Sequence, residues 1–256
     1  MTQRTIGVLG GLGPWATLDL FEKLLRLTPA AVDQDHLRII IDNNPKIPDR
    51  SPAILGAGED PTPALVATAR NLERAGADFI IIPCNTAHAF VEAIRASVAI
   101  PVLNIMDEVA AAAAAEMPPL RRAGVLATRA AVAARLYHHS FARVGVDVLS
   151  PDSAGQDVVN EAIYGVKAGR VGPDVTRRLV GVCEGLILDG AQVLVLGCTE
   201  LPFVLQPGDV EVPLLDSNLV LARAALREAT QPTQPTQPTH LTQPTQLPAA
   251  RSEHAG

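Results

Sequence analysis

The chain has 256 residues, of which 48% are hydrophobic and 3% aromatic, a length that suits one large or two small domains with a sizeable core. The formal charge of −6, from 27 acidic against 21 basic residues, leaves no basic footprint for nucleic acid. Three cysteines make no disulfide framework, no apolar run approaches the ~18 residues of a membrane span, and Met1-Thr2-Gln3-Arg4 has no signal-peptide pattern, so free thiols in a reducing cytoplasm are expected.

Ile6-Gly7-Val8-Leu9 reads as a short buried strand and Gly10-Gly11-Leu12-Gly13-Pro14 as a turn into a helix. On that helix Leu18, Phe21, Leu24 and Leu25 recur at helical spacing, with Asp19, Glu22, Lys23 and Arg26 on the other face. A strand, a glycine turn and a helix can cradle an anion, with backbone N–H groups at glycines such as Gly11 facing a small ligand. The glycine spacing is not the dinucleotide fingerprint, and the Lys-Ser/Thr ending of a phosphate loop is missing. A tight strand-to-helix turn is therefore the simpler reading.

Residues 37–42 form a second strand. It enters Asn43-Asn44-Pro45-Lys46-Ile47-Pro48-Asp49-Arg50, where two prolines stiffen the backbone around Ile47 and hold Arg50 on a rigid loop. An arginine so placed at the carboxyl edge of a sheet is suited to clamp a carboxylate. Residues 63–75 are helical with Leu65, Ala69 and Leu72 on one face, and Phe79-Ile80-Ile81-Ile82 is a third, fully buried strand. It ends at Pro83-Cys84-Asn85-Thr86-Ala87-His88, with a helix expected over about 87–97. Residues 100–105 give a fourth strand, and an alanine-rich helix over 109–116 needs only to pack.

The pattern then restarts. Gly124-Val125-Leu126-Ala127-Thr128 echoes Gly7-Val8-Leu9, and Val193-Leu194-Val195-Leu196-Gly197-Cys198-Thr199-Glu200 echoes the Cys84 stretch at nearly the same displacement. Residues 146–149 and 212–215 supply the second and fourth strands of this half, and 177–188 is a helix. A last helix, 219–228, folds back onto the first half. The fold expected is α/β, with two pseudo-symmetric domains, each a four-stranded mainly parallel sheet flanked by helices, and an active site in the cleft between them. The first domain takes residues 1–106 plus 217–229 and the second 107–216. Gln-Pro-Thr recurs from Gln231, Gln234, Gln237 and Gln243, so residues 230–256 are expected to be a disordered tail.

Cys183 falls on an apolar helical stripe with Leu179, Leu186 and Ile187 and reads as core. Cys84 and Cys198 both follow a strand and precede a helix start, where unpaired N–H groups and the helix dipole favour a thiolate. A phosphatase-type loop lacks its arginine, and no C-x-x-C redox pair exists. Zinc on Cys84, His88 and Cys198 would lack a fourth ligand, so no metal is expected. A cysteine hydrolase needs only one thiol with a base. Two thiols on opposite walls of one cleft suit inversion of a stereocentre, in which one removes a proton and the other returns one. The hydroxyls and N–H groups at Asn85-Thr86 and Thr199-Glu200 would then neutralise the adjoining carboxylate.

The glycine turn, the Asn43–Arg50 stretch, Pro83-Cys84-Asn85-Thr86-Ala87-His88, Gly197-Cys198-Thr199-Glu200 and Tyr164-Gly165-Val166-Lys167-Ala168-Gly169 together resemble the cofactor-independent aspartate/glutamate racemases, closest to their aspartate branch. The resemblance runs from about residue 5 to 228. It implies an isomerase that interconverts L- and D-aspartate, with glutamate as the other candidate, and that forms a homodimer without pyridoxal phosphate, metal, nucleic acid or membrane partner. Cys84 and Cys198 would be the acid/base pair. Asn85, Thr86 and Thr199 would hold the α-carboxylate and amino group, and Arg50 and Lys167 the side-chain carboxylate, with Gly11, Ala87, Thr128 and Glu200 completing the substrate site. The glycines around Lys167 would let a loop close over the ligand. After Thr128 the run Arg129–Leu136 departs from the family's polar pattern. Rival readings are a maleate isomerase or hydantoin racemase of the same superfold, and a non-catalytic protein that binds acidic amino acids.

Overall fold

The structure is a computed structural model that describes residues 3–231. The tail expected from residue 230 therefore lies, beyond Gln231, outside the described residues. The chain begins with β1 (Ile6–Gly10), α1 (Pro14–Leu27), a short 3-10 turn at Asp33–Asp35, β2 (Ile39–Asn43), α2 (Arg50–Ile54), α3 (Thr62–Arg74) and β3 (Phe79–Ile81). A second 3-10 turn, Thr86–Phe90, leads into α4 (Val91–Arg95) and α5 (Ile105–Glu116). Then come β4 (Arg122–Leu126), α6 (Arg129–Ala133), α7 (Leu136–Arg143), β5 (Asp147–Leu149), α8 (Ser153–Lys167), α9 (Pro173–Leu188) and β6 (Val193–Leu196). A third 3-10 turn, Leu201–Phe203, precedes β7 (Leu214–Asp216) and α10 (Ser217–Thr230).

The strands form two all-parallel sheets with orders β2-β1-β3 and β5-β4-β6-β7. Val8 pairs with Ile41 and Ile81, and Leu126 with Leu196, so β1 and β4 hold equivalent central places. β1, β3 and β6 are buried along their whole length, which is why they are continuous apolar runs rather than alternating ones. The first sheet differs from the expected four strands. Its fourth member is a single bridge, Ile80 to Val102, flanked by Ile80 N–H to Pro101 O at 2.8 Å and Leu103 N–H to Ile80 O at 3.0 Å. Pro101 has no N–H to extend a ladder, and Asn104 caps α5 by accepting from Met106 N at 2.9 Å, so the chain turns helical at Ile105.

One apolar cluster joins the two sheets. It contains Ile6, Val8, Phe79 and Ile81 from the first, Val125, Val193 and Val195 from the second, and Val109, Tyr137, Phe141 and Leu221 from helices between them. Two further clusters cover the outer faces, around Leu65, Leu72 and Ile80 in the first half and around Ile163, Leu179 and Leu194 in the second. Cys183 belongs to the latter, fully buried, where desolvation pushes its thiol up to about 12.

The face of α1 also differs from expectation. Leu18 is exposed, and the charged side is where α10 docks. There Lys23 bridges Asp19 at 2.5 Å and Asp216 at 2.7 Å, and Asn218 donates to Asp19 at 2.6 Å and to Ala16 O at 3.1 Å. Asp19 and Lys23 are thus satisfied between two helices, while Glu22 and Arg26 pair with each other in solvent. Asp19 and Lys23 fix the start of α10 against the first half.

Candidate active site

Both sheet-end cysteines sit in the same kind of turn. Cys84 N–H reaches back to Ile82 O at 2.7 Å, and Gly197 N–H to Val195 O at 2.9 Å. Each cysteine leads into a short 3-10 turn, and the α-helix expected over 87–97 is confined to α4, Val91–Arg95, behind the first of these turns. A turn of so few residues has little macrodipole, so the expected helix-terminus support for a thiolate is not what this site uses.

Cys84, 7% exposed, and Cys198, 6% exposed, line one small internal cavity. Arg50, Asn85, Thr86, Thr128, Lys167, Thr199 and Glu200 line it with them, as do Asp49, Ser51 and Tyr164. It is closed to about 10 Å³, room for about one water molecule. An outer cavity of about 330 Å³ adjoins it and shares Asp49, Arg50, Lys167 and Glu200; Gly11, Leu12, Trp15 and Ile47 complete its wall. Two expected residues stand elsewhere. Ala87 is fully buried in the outer core of the first half and lines neither cavity. Gly11 lines only the outer one, and its N–H is spent on Thr17 Oγ1 at 2.9 Å.

The Gly11 N–H therefore does not face a ligand. Gly11 is there because its φ is +89° and a Cβ would lie 2.4 Å from the Asn44 backbone. The turn presents an acceptor: the Leu12 carbonyl takes hydrogen bonds from Arg50 and, at 3.4 Å, from Lys167 Nζ. One carbonyl therefore draws together the two cations. Arg50 does not sit on a loop but opens α2, where Asp49 caps the helix by accepting from Ser51 N at 3.0 Å. Its guanidinium also donates to Pro48 O at 3.0 Å, while its buried Nε–H has no partner among the described residues. Lys167 likewise lies not in a loop but in the last turn of α8.

The two cations differ in what answers them. Arg50 meets only neutral carbonyls among the described residues, whereas Lys167 pairs with Glu200 at 3.1 Å. Burial opposes the Lys167 charge, but Glu200 and the two nearby thiols more than offset it and hold the ammonium above its ordinary range. The other Glu200 oxygen accepts from the Cys198 thiol at 3.0 Å and from Thr199 Oγ1 at 3.4 Å. Burial first, and the Glu200 carboxylate second, push the Cys198 thiol well above the ordinary range, with Lys167 pulling the other way. Glu200 lines the site as expected, yet its carboxylate is committed to the thiol and the ammonium.

His88 lies outside the cavity. Its Nδ1 meets Cys84 O at 2.9 Å, and its Nε2 accepts from Ile105 N at 3.3 Å. A carbonyl can only accept, so Nδ1 carries the proton and the ring is neutral. Burial lowers its pKa, against the nearby carbonyl oxygens of Cys84 and Leu103, which would favour the charged ring. Both nitrogens being taken, His88 is not a zinc ligand beside the cysteines, and no metal-holding cluster exists among the described residues.

Five contacts tie the walls together: Thr86 Oγ1 with Thr128 Oγ1 at 3.0 Å, Thr199 Oγ1 to Pro83 O at 3.3 Å, Tyr137 OH to Asn85 Oδ1 at 2.6 Å, Tyr164 OH to Asp49 Oδ2 at 3.2 Å, and Lys167 to Leu12 O. Sequence reasoning does not single out Asp49, Ser51 or Tyr164 as site residues. The Asp-Arg-Ser-Pro stretch carries a cap signal that locates the first two, but nothing local announces the tyrosine's reach.

A family profile described as Asp/Glu/Hydantoin racemase matches residues 9–225. The chain belongs to this family. A broad-specificity amino-acid racemase of Bacillus subtilis, RacX, is 29% identical over 231 residues, covering 86% of this chain and 96% of that protein. Among solved structures, the Picrophilus torridus aspartate racemase superposes with a TM-score of 0.78 at 30% identity, covering 88% of this chain and 94% of the other. An aspartate racemase homologue from Pyrococcus horikoshii gives 0.73 at 26% identity, covering 90% and 100%. The racemase family membership makes the chain an isomerase, and its two helix-flanked parallel sheets match the two-domain architecture of these structures. No helix among the described residues is long and apolar enough to cross a membrane.

Proposed function

We propose that this racemase interconverts L- and D-aspartate with Cys84 and Cys198 as the two proton-transfer groups and no cofactor. The observation that carries the reading is that both strand-end thiols open onto one closed cavity together with Arg50 and Lys167. One thiolate takes the α-proton from one face of the substrate, leaving a planar carbanion. The thiol opposite delivers its proton to the other face, giving the mirror-image product with thiol and thiolate exchanged; solvent resets the pair. Cys198 donates to Glu200, so in this reading Cys198 is the group that delivers a proton first and Cys84 the one that takes the α-proton. The carbanion is stabilised by hydroxyl and amide donors at Asn85, Thr86, Thr128 and Thr199 in a site with almost no water. Arg50, with a buried N–H lacking an acceptor, is the principal anchor of the side-chain carboxylate.

The catalytic cleft in this reading lies between a domain of residues 1–106 with 217–229 and one of 107–216. The enzyme works as a homodimer in a reducing compartment, which free thiols require. Light scattering of the purified protein tests the dimer. The outer cavity of about 330 Å³ beyond Arg50 and Lys167 favours a second, wider reading in which side chains longer than aspartate's are also accepted. A chiral-product assay over acidic and other amino acids, with and without added pyridoxal phosphate, tests the proposal. Racemisation of aspartate indifferent to the cofactor supports it; turnover only with the cofactor, or none with any acidic amino acid, overturns it.

A further inference from the structure

Behind the cavity lies a buried polar chain of which only Asn85 reaches the cavity wall. The Leu196 carbonyl can only accept, so the Ser217 hydroxyl donates to it, at 2.8 Å. Ser217 Oγ in turn accepts from Asn85 Nδ2 at 3.1 Å, which turns the amide oxygen toward Tyr137, whose hydroxyl donates to it at 2.6 Å. The terminal carbonyl thus fixes every donor in the chain and allows only one orientation of the Asn85 amide. All three side chains are buried, and burial keeps the phenol protonated and therefore a donor. The same ring bounds the other thiol turn: a Cβ built on Gly197 would lie 2.9 Å from Tyr137 Cε2. Tyr137 therefore holds the residue after Cys84 by its hydroxyl and packs against the residue before Cys198 by its ring.

We infer that Tyr137 is a positioning residue which, through Asn85 and the Gly197 backbone, sets the separation and aim of the two sulfur atoms. This rests on the two-thiol reading. A thiol that removes the α-proton and one that returns it must both touch a single carbon, and a displacement of about 1 Å is enough to cost on the order of 10²-fold. The effect is specific to inversion, since removal of the proton needs only one correctly placed sulfur.

Tyr137→Phe keeps the ring and frees the amide, and the test tracks L-aspartate in heavy water by chiral chromatography and mass spectrometry. Inversion puts deuterium into D-aspartate, whereas exchange without inversion puts it into the unreacted L-aspartate. The variant is expected to invert about 10- to 100-fold more slowly while its ratio of exchange to inversion rises about tenfold. Ser217→Ala, which breaks the chain at its far end without touching the ring, is expected to shift the ratio in the same direction by less. Exchange and inversion falling in equal proportion, or both holding at the wild-type rate, in both variants overturns the inference and leaves the two-thiol reading standing. Failure of the two-thiol reading shows separately, as wild-type protein that never exchanges the α-proton, and removes the inference with it.

Discussion

The turns that carry Cys84 and Cys198 begin alike and are held differently. Each succeeds a fully buried strand and carries a backbone bond two residues back, made by Cys84 itself in the first and by Gly197, just before the cysteine, in the second. Beyond that point the first turn is pinned through its main chain: neutral His88 links Cys84 O to Ile105 N, and Thr86 pairs with Thr128. The second is pinned at the sulfur itself, by the Glu200 carboxylate that also engages Lys167. The proposed inversion needs two equivalent bases over a full cycle, yet the site is not symmetric. Glu200 accepts from the Cys198 thiol, and the Cys84 sulfur has no such contact among the described residues.

Breaking either turn at its sulfur has the largest expected effect. Cys84→Ser and Cys198→Ser should each lower racemisation by about 10²- to 10⁴-fold, the usual worth of a positioned acid or base, as read by chiral chromatography. Next comes the inequality of the cations. Arg50→Ala should raise KM for aspartate by about 10- to 100-fold, matching the loss of a charge-assisted hydrogen bond worth about 1.5–3 kcal/mol. Lys167→Ala should raise it less, because that ammonium is already answered by Glu200. Initial rates over a range of substrate concentrations separate the two.

Glu200→Gln sharpens the comparison directly. The carboxylate is one of the causes that raise the Cys198 thiol. Its loss should bring that thiol down, so the alkaline fall in rate, where both sulfurs become thiolates, moves to lower pH. Peptide mapping after limited alkylation should show the same thing: wild type labelled at Cys84 before Cys198, and the variant labelled more evenly.

The smallest effect belongs to the first turn's histidine. An unfolded chain binds a proton on this ring below about 6.5, while burial lowers the folded value. The unfolded state therefore takes up more protons, and stability falls as pH drops from about 6.5 toward the folded value. His88→Gln should flatten that limb at a direct cost of about 1 kcal/mol, checked by urea midpoints above and below that pH.

Much of this layout is readable in the chain because buried parallel strands need unbroken apolar runs, and Phe79-Ile80-Ile81 and Val193-Leu194-Val195-Leu196 are such runs. The repeated cysteine after each run locates both sides of the cleft for the same reason. Other features depend on contacts that no local pattern encodes. Val102 fails to extend its strand because Pro101 lacks a donor and Asn104 caps a helix. Asp19 and Lys23 fall on the charged face of a helix, and nothing near them in sequence announces that Asp216 and Asn218 arrive from the far end of the chain to meet them. The joining of Arg50 and Lys167 at the Leu12 carbonyl involves a backbone atom, which side-chain motifs do not register. Ala87 shares a motif with Cys84 and Asn85 but points into the core, since successive residues of a tight turn face different ways.

The central claim is that two sulfurs act on opposite faces of one carbon. Purified protein incubated with L-aspartate in heavy water measures this directly. The account predicts that D-aspartate forms carrying deuterium at Cα and that either cysteine-to-serine variant slows its formation by about 10²-fold or more. Both single variants producing deuterated D-aspartate at the wild-type rate would contradict it.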